Sequence, residues 1–314
     1  MIKMRKQLSL RFGVAAVLCG LLAGCGERTP AAPPMPERTF ATAEEAATAL
    51  VAAAERFDVP ELKAILGPEG EPLVASADTV ADRNHAAAFA AEARVQQQLE
   101  FDSTRTSAIM SVGAEDWPMP IPIVSRDGRW YFDAAAGKEE ILRRRIGQNE
   151  LDAIAVSLGY VEAQREYALV RHDGSLLNQY AQRVISTPGK QDGLAWQTAD
   201  GTWEGPVGED IARFITEGYS DKSQPFHGYY FKILKGQGPD APLGEMNFLV
   251  EGAMIGGFAL AAAPAEYGVT GIQTFIVSWE GTVYQKDLGD ATLESFRTME
   301  LYNPDSTWTA VEHP

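Results

Sequence analysis

Apolar positions set the chain into alternating stretches of helical and strand period. Behind Thr42 and Glu45, the pair of a capping box, Ala46, Ala47, Leu50, Val51 and Ala54 recur at helical spacing. Asp58 and Glu61 repeat the box, with Leu62, Ile65 and Leu66 behind them and Gly67-Pro68 as a stop. A third helix is expected from about Asp82 to Phe101. The period then shortens. Ser107–Val112 and Arg129–Asp133 predict strands, and Asp127-Gly128 predicts the hairpin turn into the latter. Between them, Pro118, Pro120 and Pro122 alternate, which suits an edge strand because proline donates nothing to a ladder. The string Lys138–Arg145 is dense in charge; Glu139 and Glu140 precede Arg143, Arg144 and Arg145 at helical spacings, which predicts a solvated helix face between two segments.

The second segment starts near Asn149. Leu151, Ile154, Ala155, Leu158 and Val161 predict one helix face, and Leu176, Leu177, Tyr180, Ala181 and Val184 another. Ile211, Phe214 and Ile215 suggest a short helix before Gly218. Strands are expected at Tyr229–Leu234, Ile255–Ala262, Ile272–Ser278 and Thr282–Lys286, the last two joined through Glu280-Gly281, with a Gly/Pro loop at Lys235–Gly244. Each segment runs from helices to antiparallel strands. The expected fold is therefore α+β in two small units, 40–148 and 149–314. The first has the element order of nuclear-transport-factor-like modules, a comparison of fold alone.

The first 24 residues differ from all of this. Lys3, Arg5, Lys6 and Arg11 precede an apolar stretch from Phe12 to Leu22, too short to span a bilayer but suited to a signal peptide. It ends in Leu22-Ala23-Gly24-Cys25, which resembles the lipobox of bacterial lipoproteins. The resemblance implies that Cys25 is acylated and becomes the mature N-terminus. With Gly26 and no aspartate behind it, it also implies the periplasmic face of the outer membrane. Residues 25–39 then form a Pro-rich, semi-rigid tether. Removing four basic residues and no acid takes the net charge from −16 to −20. Such a chain lacks the basic footprint of a nucleic-acid binder. Its two cysteines, Cys19 and Cys25, exclude a disulfide framework.

Long strings carry a family resemblance: "WPMPIPIV", "WYFDAAAGKEEI", "RRRIGQNE", "FHGYYFKILKGQGPDAP", "MIGGFALAAAPAEYGVTGIQTFIV" and "VYQKDLG". They resemble an exported bacterial family known only as a domain of unknown function, DUF 2950, and they cover nearly all of the mature chain. The resemblance implies no activity. The second segment is also similar to the heads of type IV pilins and pseudopilins, at Gly228, Tyr229, Phe231, Pro264, Gly268, Thr270, Gly271, Phe275, Gly281 and Val283. It departs from them in having a lipobox and in lacking their long apolar N-terminal helix.

Catalytic motifs are sparse. His85, His172, His227 and His313 show no i,i+3 or i,i+4 pair, so no metal site is expected, and there is no nucleophile elbow, phosphate loop or dinucleotide fingerprint. No cofactor is expected. The best candidate base is His227, with Glu266 or Asp287 to orient it. Together with Tyr229, Trp196 and Trp203 it is also a candidate binding surface. The expected function is a lipid-anchored, non-catalytic binding or structural module with a periplasmic protein partner. The alternative is a periplasmic hydrolase of envelope material using His227.

Overall fold

The computed structural model describes residues 38–217, 219 and 224–312. The expected signal peptide, Cys25, nearly all of the tether and His313 lie outside the described residues. Helix α1 (Ala43–Glu55) begins at the capping box, where the Thr42 hydroxyl accepts the Glu45 N–H at 3.1 Å. Asp58 accepts from Glu61 in the same way and starts α2 (Val59–Val74). Gly67, at φ 70° and ψ −175°, divides α2 into two legs. The expected stop is thus a kink, and Pro68 opens the second leg, where a missing N–H costs nothing. Asp78 caps α3 (Thr79–Val95).

Helix α3 ends six residues before the expected Phe101. Gln97–Phe101 is instead strand β1, antiparallel to β2 (Ser107–Val112), with Leu99 opposite Met110. Leu99 and Phe101 then share one face and pack on the core of the three helices, a gain that a further helical turn would forfeit. Strands β3 (Trp117–Pro118), β4 (Ile123–Arg126) and β5 (Arg129–Phe132) complete this sheet in the order β1-β2-β4-β5, with β3 paired to β2. Leu50, Leu62, Ile65, Met110, Ile123 and Phe132 are buried beneath the helices. Each such side chain contributes about 1.5–3 kcal/mol.

Helix α4 (Ala134–Tyr167) runs unbroken for 34 residues, about 50 Å. The boundary expected between 148 and 149 lies within it. Its first half packs on α2 and its second half on the rear sheet, so two separate apolar clusters share one element. After α4 come β6 (Trp196–Gln197), β7 (Trp203–Glu204), α5 (Gly208–Glu217), β8 (Tyr229–Leu234), β9 (Gly236–Gln237), β10 (Met246–Asn247), β11 (Leu249–Val250) and β12 (Ala253–Met254). Then follow β13 (Ala259–Pro264), β14 (Gln273–Ser278), β15 (Val283–Asp287), α6 (Thr292–Thr298) and β16 (Thr309–Ala310). The rear sheet is antiparallel in the order β16-β15-β14-β13-β8. Strand β13, ALAAAP, is buried along its whole length and contacts both α4 and α6. Its alanines show no alternation because no residue of it meets water. The fold class is α+β, with six α-helices and antiparallel sheets among the described residues.

Two expectations within the rear unit are corrected. Of the expected α4 face, Val161 is buried and Ile154 and Leu158 pack on the core, but Leu151 is 63% exposed and Ala155 is exposed; the fully buried line is Asn149, Ala153, Ser157, Tyr160, Val161 and Gln164. The helix is turned so that its polar groups meet open backbone: Asn149 donates to the Thr270 carbonyl, and the Glu150 carboxylate accepts the Ile272 and Gln273 N–H groups. The helix expected over Leu176–Val184 is irregular chain. Gln164 explains this. Its amide donates to the Ala181 carbonyl at 2.7 Å and accepts the Ala181 N–H at 2.8 Å, and the Tyr180 N–H goes to the Met254 carbonyl. The backbone groups that a helix needs are already bonded elsewhere.

Candidate functional site

Two places carry the candidate chemistry. The first is the seam where α3, α4, α5 and β8 converge. Asp78, 2% exposed, caps α3 through Ala81 and accepts two further hydrogen bonds on Oδ2: from the Tyr219 hydroxyl at 3.1 Å and the Gly228 N–H at 2.8 Å. Asp82 accepts from the Ser76 N–H and hydroxyl and lies 3.8 Å from Arg145. Arg145 donates to the Pro72 and Leu73 carbonyls at 2.7 and 2.6 Å. It is therefore not on the solvated face expected for Lys138–Arg145. Arg143 and Arg144 are, both paired with Glu140. Burial pulls the Arg145 pKa down, opposed by Asp82, Glu266 and Asp78.

Above this network, Phe226 and Tyr229 exchange backbone hydrogen bonds across the two-residue turn His227-Gly228. Both turn residues have positive φ, 47° and 75°. Gly228 is required there twice over. Its φ disfavours a side chain, and a Cβ would stand 2.4 Å from Asn149 Nδ2. The turn aims His227 down at α4. Its Nδ1 lies 2.7 Å from Asp152 Oδ2, its Nε2 lies 3.8 Å from Glu217 Oε2, and its ring stacks on Phe226 at 4.2 Å. Asp152 is fixed in turn by Gln148 at 2.9 Å. The acid beside His227 is thus Asp152, not Glu266 or Asp287. Helix α4 passes directly under the turn, whereas the Glu266 charge acts on Arg145 and the Asp287 carboxylate accepts from the Tyr267 hydroxyl. Sequence spacing offered no sign of a partner 75 residues away. A carboxylate on Nδ1 fixes a histidine tautomer and can prepare Nε2 as a base. Among the described residues, no hydroxyl or thiol is hydrogen-bonded to Nε2, and no group of three His, Cys, Asp or Glu could hold a metal ion.

The other expected site residues separate from His227. Tyr229 is fully buried and donates to the Gln273 carbonyl, so it presents no surface; burial raises its pKa. Trp196 and Trp203 lie together in the β6–β7 hairpin, which packs at the start of α5. Glu217, at the end of that ten-residue helix, is the one that reaches His227, about 15 Å away.

Trp196 belongs to the second place, the irregular wrap that follows α4. The His172 ring stacks on Tyr167 at 3.9 Å and lies 5.5 Å from Trp196. Its nitrogens meet the Tyr167 carbonyl and the Gln191 side chain, so this histidine is consumed by the core. Beside it, Tyr167, Gln179, Tyr180, Gln182, Arg183 and Asp192 line a small polar cavity of about 130 Å³. Tyr180 and Ala181 turn inward. Leu169, Val170, Leu176 and Leu177 turn outward, with Leu176 84% exposed. The helical spacing of Leu176 and Leu177 with Tyr180 and Val184 placed those two leucines in a helix and so concealed their exposure.

Among the described residues, no helix is long and apolar enough to cross a membrane. Residues 37–311 match the model of a family described as a protein of unknown function, DUF2950. No curated protein and no solved structure matches the chain.

Proposed function

The chain belongs to the DUF2950 family, whose description assigns no activity, and from the geometry of the seam we propose a lipid-anchored, non-catalytic binding or structural module of the cell envelope. One observation carries this proposal. The best candidate base, His227, is partly exposed and meets a carboxylate at Nδ1, Asp152, and another 3.8 Å from Nε2, Glu217, with its ring on Phe226 and, among the described residues, no hydroxyl or thiol hydrogen-bonded to it. The hydrogen bonds that tie the two cores together here are those of the buried Asp78 carboxylate, to Tyr219 and to the Gly228 N–H. In this account Cys25 carries the lipid, residues 25–39 are the tether, and the folded part hangs at the periplasmic face of the outer membrane. There it meets an envelope partner and needs no cofactor. The test is fractionation of a Cys25→Ser variant. It should move from the membrane pellet to the soluble periplasm, and unchanged partitioning would defeat the anchored role.

A second function, hydrolysis of envelope material with His227 as general base, is favoured by one specific feature, the 2.7 Å contact between His227 Nδ1 and Asp152. It requires that Asp152→Asn, which keeps the fold and spoils the tautomer, abolish the function.

A further inference from the structure

We infer that the polar cavity beside His172 is a binding site for one uncharged sugar residue of a glycan. The inference goes beyond the anchored role proposed above and rests on neither Cys25 nor His227. The cavity, about 130 Å³ and open to solvent, is lined by Tyr167, Gln179, Tyr180, Gln182, Arg183 and Asp192. A cavity of ~150 Å³ accepts a single benzene, so this one suits one six-membered ring, with the ring's substituents and any further sugar at its mouth. Its walls carry hydrogen-bonding groups that the fold leaves unused. Among the described residues, the Gln179 amide and the Tyr180 hydroxyl have no partner within the chain. Gln182 spends an N–H on the Gly252 carbonyl and keeps its side-chain oxygen. Arg183 approaches Asp192 through Nε at 3.5 Å, which leaves other donors of its guanidinium open. Donors and acceptors are thus mixed within five residues of chain, beside two tyrosine rings. Sugar hydroxyls both donate and accept, and the C–H face of a sugar ring packs on an aromatic one.

The frame is fixed before any ligand arrives. Gln164 holds both backbone groups of Ala181, the Tyr180 N–H is bonded to the Met254 carbonyl, and the Tyr180 ring packs edge-on against Phe258 at 4.7 Å. Tyr167 donates to the Gln191 carbonyl and stacks on His172. Asp192 accepts the Thr187 N–H and hydroxyl at 2.7 and 2.8 Å. A site already rigid loses less freedom on binding. Charge selects the ligand class. The two charged residues of the lining, Arg183 and Asp192, are paired with each other. Asp173 also acts on Tyr167, but it is exposed to water and bonded to the Gln191 N–H, and screening takes most of its reach. A ligand of either sign would therefore enter beside a pair that is already closed. The lining residues 179–183 are irregular chain, so an extended peptide finds no strand edge to join there. A single carboxylate in the lining separates holding from cutting, because hydrolysis of a glycosidic bond takes two carboxylates that flank it.

The test titrates residues 35–314, the compact unit, by calorimetry and ligand-observed NMR. The probes are two neutral trisaccharides, chitotriose and maltotriose, and two charged ones, trigalacturonate and fully deacetylated chitotriose. At least one neutral sugar should bind, with a Kd of about 1 mM for one seated ring, and both charged sugars at least about tenfold more weakly. Gln179→Ala and Tyr180→Phe should each weaken that binding about fivefold, one hydrogen bond apiece. Gln179→Ala should leave the thermal midpoint unchanged, since its side chain has no partner in the chain to lose, and Tyr180→Phe keeps the ring on Phe258. No binding of either neutral sugar, equal or tighter binding of a charged one, or binding that neither variant weakens would each overturn the inference. None of these results bears on the release of Cys25→Ser, so the anchored role stands or falls separately.

Discussion

Replacing Asp78 with alanine tests the seam most sharply. The carboxylate is 2% exposed and accepts three hydrogen bonds, from Ala81 within α3 and from Tyr219 and Gly228 of the rear unit. Loss of the cap costs about 1 kcal/mol. The Gly228 N–H is left without a partner in a buried place, and the Tyr219 hydroxyl loses its acceptor, at about 1–3 kcal/mol each. The half-open position of Tyr219 puts its share at the low end, so the expected loss is about 3–5 kcal/mol. That is a large fraction of a typical total of roughly 5–15 kcal/mol. Equilibrium urea unfolding followed by tryptophan fluorescence should show the midpoint fall accordingly. Asp78→Ser keeps the cap and should recover about 1 kcal/mol of the loss. The reasoning is refuted if Asp78→Ala stays within 1 kcal/mol of the unmodified chain, because the seam would then hold no weight across the two cores.

Adjacent residues of the His227-Gly228 turn should respond in opposite degree. Gly228→Ala, at φ 75° with its Cβ 2.4 Å from Asn149, should cost roughly 2 kcal/mol or more; His227→Ala, removing a half-exposed pair, should cost less than about 1 kcal/mol in the same urea assay. On α4 and its sheet, Phe275→Asp should prevent cooperative unfolding altogether, and Leu151→Asp should leave the thermal midpoint nearly unmoved, because one side chain is buried and the other 63% exposed. Partial burial pushes the Asp192 pKa up, but the Thr187 N–H and hydroxyl together with Arg183 outweigh it and hold the carboxyl below its ordinary value. A folded pKa below the unfolded one gives stability that is complete above the ordinary aspartate range near ~4 and lost as pH falls through the folded value. The urea midpoint difference between the unmodified chain and Asp192→Asn should therefore be flat from pH 7 to 5 and shrink below pH 4.

Much of the fold was legible where local chemistry and burial agree. Strands Ser107–Val112 and Tyr229–Leu234 were expected with the ends the structure gives them, because alternation and flanking turn residues mark both sides. Gly281 turns β14 into β15 as its position suggested, with φ 90°. Legibility fails where a distant partner decides. Gln97–Phe101 has no strand signal of its own and becomes a strand because Met110 and Ala108 lie opposite. Leu176–Val184 has a helical spacing that one glutamine, Gln164, overrides by taking its backbone. Arg145 looked like a member of a local charge run, since pairing with Glu139 or Glu140 satisfies the same pattern; only the fold brings Pro72, Leu73 and Asp82 to it. The candidate site divides along the same line. His227 could be singled out in the sequence, but Asp152, Glu217 and Asp78 could not. Tyr229 looked like a surface aromatic only because its strand face could not be assigned before the sheet was known.

The central claim is that the molecule works through what its surface touches and not through chemistry at His227. Complementation of a deletion strain tests this directly, scored on an envelope phenotype of that strain with equal amounts of each variant in the membrane. The account predicts that His227→Ala restores the phenotype and that Gln179→Ala with Tyr180→Phe does not. The reverse pattern, a normally folded His227→Ala that fails while the cavity variant succeeds, would contradict it and make the His227–Asp152 pair catalytic.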